Sequence, residues 1–445
     1  MRHDIDHMHF PRLIFNLWLF MMVTDCIMPS IVSSNQIFFK PEISVTEEYN
    51  DNIFLTKSDK ENDFITTIAP KIGIDFSDKK IETDISYSPM YISYNRFSDK
   101  NTWRHLARFF QSMKFSKNSE LNIFDSFLRT EDPLPDQWIL ADDRDLIEED
   151  YTVRKNREPY YINKAGFNFT KEFGPNDKWV IGFHNRILEN NDPEVEDSKK
   201  YNPFFNTDYW ISPQFGFETK VDYTRGEFDR SDNFDNWAGS FRFINMFDRH
   251  IGTFLQYNHT IRDFRGDDED YDIYHPSAGI RYQFEEDSDV NLGFGYFVQD
   301  YENEKNEEGF VISGAIHKNW NLMRGAFYLY GASGIEQSNF GAENLGFERF
   351  YQVKGSFNYG IAKNIYMDCF LSFRRDEYLN TDPDRDDETI SATSSIVFNP
   401  IKWLFIRFGY SHNTVDSSES IRGYNENKIF TTLSLSPHTP FLLKE

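Results

Sequence analysis

The feature that most constrains this chain is the alternation in "FYQVKGSFNYGIAKNIYMDCFLSFRRDE", residues 350–377. Tyr351, Val353, Gly355, Phe357, Tyr359 and Ile361 share one parity, and Gln352, Lys354, Ser356 and Asn358 take the other. After "AKN" the pattern resumes, with Ile365, Met367, Cys369, Leu371 and Phe373 against Asp368, Ser372 and Arg374. Period two belongs to β-strands, so this is a tight pair of strands, each with one apolar and one polar face. A soluble sandwich would bury the apolar faces. A membrane barrel would turn them to lipid and line a lumen with the polar ones.

The rhythm of the whole chain favours the barrel. From residue 41 onward one unit recurs: strand, short turn, strand, long acidic connection. Short turns include "SDKK" (77–80), "SKNS" (116–119), "GPND" (174–177), "FDRH" (247–250) and "EEDS" (285–288), all rich in turn-forming residues. Long connections include "FDRSDNFD" (228–235), "RGDDEDYD" (265–272) and "NTDPDRDDE" (380–388). Short turns on one side and long loops on the other are the habit of outer-membrane barrels. Twenty strands are expected, at 42–50, 63–76, 81–94, 103–115, 120–130, 159–172, 178–189, 203–213, 215–227, 236–247, 250–263, 273–284, 289–300, 309–319, 323–337, 349–361, 365–377, 389–399, 403–414 and 428–436. Most are long enough to cross a bilayer at the usual tilt. The weakest signals are the first strand and the pair at 103–130, so the fold class is an all-β, antiparallel up-and-down transmembrane barrel of about 18–20 strands. Sandwich domains would be separated by a linker, and propeller blades would repeat a residue motif. Neither is present in the sequence.

Composition agrees. Aromatic residues make up 17% of the 445-residue chain, with 45 Phe and 24 Tyr, which suits strands and lipid interfaces. A formal net charge of -25 argues against phosphate-backbone binding, so nucleic acid is not an expected partner. Arg2 and Arg12 flank "LIFNLWLFMMV" (13–23) ahead of "SIVSSN", the arrangement of a secretory signal peptide over 1–34, with a single barrel domain over 35–445. A lipid-anchored reading through Cys26 and an uncleaved N-terminal helix are the alternatives. Cleavage leaves Cys369 as the sole cysteine, so no disulfide is expected.

Parity sorts the strands into two faces. Phe215, Phe217, Val221 and Tyr223; Val290, Leu292, Phe294, Tyr296 and Val298; and Leu404, Ile406, Phe408 and Tyr410 are expected to meet lipid, with charge kept off this face. Trp179, Trp210, Trp237, Trp320 and Trp403 lie near strand ends, where an interfacial girdle places them. The lumen set is Asp75, Glu82, Asp84, Arg108, Lys114, Arg186, Glu218, Lys220, Asp222, Arg242, Arg262, Arg281, Lys354, Asp368, Arg374 and Arg407. Ten of these sixteen are basic in an acidic chain, so base is enriched in the wall and acid in the loops. Two readings follow: cross-strand bracing, or a positive track for anionic cargo formed by Arg108, Lys114, Arg186, Arg242, Arg262, Arg281, Lys354, Arg374 and Arg407. Tyr328 and Tyr330, with Phe297 and Tyr366, share the inward parity and offer stacking surfaces to sugar rings, or fill space.

Three stretches carry a resemblance: "PEISVTEEYNDNIFLT" (41–56), "DFITTIAPKIGIDFS" (63–77) and "YSPMYISYNRF" (87–97). With "FLQYNHTIRDF" (254–264), "YHPSAGIRYQF" (274–284) and "GYFVQDYE" (295–302), the chain resembles the outer-membrane β-barrel porins associated with exopolysaccharide loci and PEP-CTERM/exosortase systems. The resemblance implies a Gram-negative outer-membrane pore serving export of an acidic exopolysaccharide. Outer-membrane lipid, an anionic polysaccharide and a periplasmic polysaccharide-export component would be its partners. A blocked structural or adhesive barrel and a general diffusion porin are the competing functions. The family supplies no catalytic residues, and no H-E-x-x-H, C-x-x-C pair or Walker loop occurs. "YSHN" (410–413) puts Ser411 and His412 on opposite faces of a strand. No enzyme activity or cofactor is expected; the Asp-rich loops have the carboxylates that Ca²⁺ favours but lack EF-hand spacing, so solvated loops are the expectation and calcium binding the alternative. The longest connection, 131–158, carries nine acidic residues between Glu131 and Asp150 and is expected to act as a gate.

Overall fold

The computed structural model describes residues 36–132, 157–193, 195–285, 288–301, 306–320, 325–339, 344–378, 385–419 and 422–444. The expected signal peptide and most of the 131–158 connection lie outside the described residues. The strands are β1 (Gln36–Asn50), β2 (Asp63–Ser77), β3 (Ile81–Tyr94), β4 (Thr102–Ser116), β5 (Ser119–Thr130), β6 (Tyr160–Glu172), β7 (Lys178–Asn190), β8 (Ser198–Trp210), β9 (Phe215–Phe228) and β10 (Phe234–Met246). They continue as β11 (Ile251–Phe264), β12 (Tyr271–Glu285), β13 (Ser288–Tyr301), β14 (Glu307–Trp320), β15 (Gly325–Asn339), β16 (Asn344–Ala362), β17 (Ile365–Tyr378), β18 (Arg385–Ile401), β19 (Leu404–Ser417), β20 (Tyr424–Leu435) and a short β21 (Phe441–Lys444).

From β1 to β20 each strand pairs antiparallel with the next, and β20 returns to β1, with Ile43 opposite Leu435 and Asn50 opposite Lys428. The sheet therefore closes as a barrel of twenty strands. Closure leaves neither the first nor the last strand of the wall with an open edge, as a bilayer requires. The Thr46 and Thr432 hydroxyls meet at 2.8 Å across the seam. β21 lies along the start of β1, where Phe39 faces Phe441. The 36–41 segment, not expected as strand, is held there between β21 and residues 72–77 of β2.

All twenty expected strands are present, with shifted ends. β8 was expected at 203–213 but ends at Trp210, because residues 211–214 form the turn. There Ser212 Oγ accepts from the backbone N–H groups of Gln214 and Phe215. At the loop end, β16, β18 and β19 run past the apolar pattern. Outward charges pair there: Arg375 of β17 reaches Glu377 on its own strand and Asp386 and Glu388 of β18 across the pair, at 3.3–3.7 Å. Such pairing lets the sheet continue above the lipid band.

Outward side chains form the apolar belt. Phe310, Leu292, Phe294, Leu371 and Phe408 are all more than half exposed. Trp403 marks the turn side, while Trp103 and Trp237 mark the loop side. Trp210 instead faces inward, its indole resting where a Cβ on Gly216 would stand. One charge also breaks the expected pattern. Asp125 lies on the outward parity of β5, opposite Phe109 and Ala165. Asn163 Nδ2 donates to it at 2.7 Å, and acids are the less costly charges on a lipid face.

Cys369 shares the outward parity with Leu371, and its Sγ lies 3.4 Å from the outward Ser394 hydroxyl. In vesicles carrying a Cys26→Ser chain, a charged thiol reagent should leave Cys369 unmodified until the barrel is denatured. Rapid labelling of the folded protein would invert the assigned faces.

Candidate functional site: the lumen and its loop-side lock

By register, all sixteen residues of the lumen set face inward. Asp75 pairs with Asp84, Glu218 with Arg242, Lys164 with Arg186, Asn236 with Arg262, Gln352 with Arg374 and Arg407 with Thr432. Tyr328 and Tyr330 share that face, opposite His317 and Ala315, as do Phe297 and Tyr366. The shared face does not make one basic track. Lys114 pairs with Glu82 at 3.3 Å and Arg242 with Glu218 at 3.1 Å, while Gln256 also accepts from Arg242. Arg374 pairs with Asp376 at 2.6 Å. Arg385 and Asp387, neither among the sequence candidates, form another such pair. Several basic groups are thus committed to bracing. By contrast, Lys220 and Arg281 are exposed to the lumen.

Several inward aromatics lie against the wall. A Cβ added at Gly182 would overlap the Phe204 ring, and one at Gly409 would overlap Phe430. Only glycine at those positions lets the rings lie flat on the neighbouring strand.

The two halves of the lumen differ in exposure. Toward the turns, Glu82, Asp84, Phe110, Lys114, Lys220 and Arg281 are open. Toward the loops, Ile92, Tyr94, Tyr160, Leu188, Phe234 and Phe297 are almost wholly covered. Part of this cover is the connection between β1 and β2. Ile53 and Leu55 on it are 0% exposed, and Ile53 packs with Ile65, Met90, Ile92, Tyr94, Leu106 and Leu128 from the inward faces of β2 to β5. Burying each such side chain contributes about 1.5–3 kcal/mol.

Asn52 shapes the connection. Its amide donates to the carbonyls of Thr56 and Asn425 at 2.7 and 2.9 Å, and accepts from the Thr56 N–H at 3.0 Å. Leu55 takes a left-handed backbone, φ 51°, a conformation that costs about 1–3 kcal/mol and persists only under such restraint. Arg157, also at φ 51°, donates from Nε to the Ile53 carbonyl at 2.6 Å and from Nη1 to the Tyr94 hydroxyl at 2.9 Å. Tyr94 donates to Glu131 at 2.8 Å, and Arg104 grips Glu131 through Nε and Nη2. Both ends of the long acidic connection are therefore tied to the wall beneath the first loop.

Sequence reasoning missed this lock, although a signal was there. "NDNIFLT" puts three successive apolar residues in a polar connection, and "PMYISY" is apolar on both parities. A wet lumen gives no reason for Met90 and Ile92; a folded loop over them does.

No family model matches the chain, and no curated protein does. Among solved structures it is similar to the ferric enterobactin receptor PfeA of Pseudomonas aeruginosa, with TM-score 0.52 and 8% identity over 90% of this chain and 80% of the receptor's. It is also similar to the siderophore receptor PirA of the same organism, TM-score 0.48 and 8% identity over 89% of this chain and 80% of that one. The outer-membrane protein OpdK, again from P. aeruginosa, gives TM-score 0.42 and 9% identity over 90% and 99%. The likeness to PfeA concerns fold alone, and that fold is the outer-membrane β-barrel.

Glu131 is 1% exposed by side chain and Arg104 8%. Burial pushes the Glu131 carboxyl up, but Arg104 outweighs it and holds the carboxyl below the ordinary carboxylate range. A depressed carboxylate stabilises the folded state above its unfolded value and loses that contribution as pH falls through the folded one. The lock should therefore hold at neutral pH and release only in acid below the ordinary carboxylate range. Glu131→Gln leaves the buried Arg104 with Asp132 alone, at 3.4 Å, and should cost less than the about 3–5 kcal/mol of a fully stranded charge, whereas Arg104→Met with Glu131→Leu and Asp132→Asn removes the whole set and should be closer to neutral. Urea unfolding of vesicle-inserted variants measures both; equal losses would mean the pair itself carries the stability.

Proposed function

We propose that this chain is an outer-membrane channel for polar solutes, with a lumen open on the turn side and closed over by folded chain on the loop side. The observation that carries this is the contrast between exposed, charged inward residues near the turns and buried ones near the loops. Twenty strands enclose more space than the 16–18 that suffice for an aqueous porin channel. The apolar packing of Ile53 and the burial of Leu55 make the first loop the part that closes the lumen. Replacing residues 52–61 with a Gly-Ser linker should give larger, steadier single-channel conductance in planar bilayers than the natural chain. If neither protein conducted, the barrel would be structural or adhesive.

A second reading is export of an acidic exopolysaccharide, which the family resemblance implies. Lys220 and Arg281 support it, since both are exposed in the half of the lumen that faces the periplasm in this class of barrel. Cargo handed over by a periplasmic export component would meet them first, while the acidic loops oppose anions arriving from outside. Such charges act over about 8 Å at physiological salt, so a polyanion on the wall feels them and an ion on the axis hardly does. Deleting the gene should remove surface polysaccharide under this reading and leave it intact under general diffusion.

A further inference from the structure

We propose that Phe110, Phe124, His184 and Phe204 form a stacking platform on the lumen wall for the pyranose rings of an uncharged sugar chain. Register puts them in one inward row across neighbouring strands. Asp84 of β3 stands opposite Phe110 of β4, Phe110 opposite Phe124 of β5, Phe124 opposite Gly166 of β6, and Gly166 opposite His184 of β7. Two residues toward the turn on the same face of β7, Gly182 stands opposite Phe204 of β8, which stands opposite Asp222 of β9. From β4 to β8 is four strand spacings, roughly 19 Å, the span of a short oligosaccharide. Because barrel strands tilt by about 35–45° from the pore axis, a row across them is inclined too, so a sugar lying along it advances through the pore.

Three of the rings touch. The His184 ring centre lies 5.3 Å from that of Phe124 and 4.8 Å from that of Phe204, at 70° and 62° to their planes. Phe124 leans over Gly166 and Phe204 over Gly182, where an added Cβ would strike each ring. Bare glycine backbone thus lets rings from β5 and β8 converge on β7. Asn168 Oδ1 lies 3.1 Å from His184 Nε2 and holds the imidazole upright between the two phenyl rings.

The row is open where the aromatics nearer the loops are covered. Phe110 is 43% exposed although it points into the lumen rather than to lipid, and Phe124, His184 and Phe204 are only half-buried. A phenyl ring held in water among charges adds nothing to the wall, whereas covering its face removes apolar surface from water. That face carries partial negative charge, which suits the C–H face of a pyranose. The exposed Asp84 and the half-buried Asp222 end the row on either side. Carboxylates accept hydrogen bonds, so these two suit the hydroxyls of an uncharged sugar.

The platform rests on the reading of the lumen as a path for polar solutes, but binding to the detergent-solubilised barrel needs no current. Calorimetry with maltotetraose and with sorbitol, which carries hydroxyls without a ring, tests it, folding being checked by mobility in unheated detergent gels. The natural chain should bind maltotetraose and not sorbitol. Phe110→Leu keeps apolar bulk at an exposed position and removes the ring, so it should weaken maltotetraose at least about fivefold, while Phe110→Trp should match or exceed the natural affinity. Phe204→Leu should weaken binding as well. Phe430→Leu removes a ring that lies on Gly409 outside the row and should change nothing. Binding without conductance would sink the channel and keep the platform. No maltotetraose binding, equal binding of sorbitol, full affinity in Phe110→Leu, or an equal loss in Phe430→Leu would overturn it and leave the rings to pack the wall. Should Phe204→Leu not fold, the Leu and Trp variants of the exposed Phe110 decide alone.

Discussion

The structure depends on closure. A sheet of twenty strands can sit in hydrocarbon only if its first and last strands meet, since an open edge would expose a row of unpaired N–H and C=O groups. The β1–β20 seam does this over residues 43–50 and 428–435. The same seam also anchors the loop-side lock. Asn50 Nδ2 donates to Glu426 at 2.7 Å, Asn427 binds Asp51 through its backbone N–H and its amide, and Asn52 reaches the Asn425 carbonyl. Joining the ends of the sheet therefore positions the chain that covers the lumen.

This coupling explains why the buried residues gather at one end. Toward the turns, the inward face solvates itself with charge, and cross-strand pairs such as Lys114–Glu82 keep it in place. Toward the loops, ordinary hydrophobic burial takes over, through Ile53, Met90, Ile92 and Leu106. A pore lined by water throughout would not bury them. The apolar cluster costs nothing when the loop is seated and exposes hydrocarbon when it lifts, which biases the loop toward the seated state.

The fold was legible because period-two alternation is a local signal that twenty segments repeat. Faces were legible for the same reason: one parity choice in Phe215–Tyr223 or Leu404–Tyr410 assigns a whole strand. Strand ends were less so. Charged residues such as Asp386 and Glu388 look like loop in one dimension, and pairing with Arg375 on the neighbouring strand makes them strand. The lock was illegible in practice because it joins residues 53, 94, 104, 131 and 157 across several neighbouring strands, and residue 426 through closure, rather than by spacing along the chain. Asp125 failed for a related reason, since its compensating partner Asn163 lies across the next strand.

The same limit applies to the basic residues of the wall. Parity shows that an arginine points inward, but whether it is a brace or a binding group depends on its neighbours after folding. Arg242 has Glu218 and Gln256, and Arg374 has Asp376; each is satisfied within the wall. Arg262 has two aromatic rings and an asparagine, a set that holds a guanidinium in place without cancelling its charge. Aromatic stacking fixes the plane of the group while one edge remains directed away from the ring. An enrichment of base along the inward parity is therefore two populations: one paired with carboxylates, as in Lys114, Arg242 and Arg374, and one, with Arg262, whose charge no neighbouring carboxylate among the described residues cancels. Any selectivity for anions belongs to the second, and it is set by where carboxylates are absent as much as by where arginines are present.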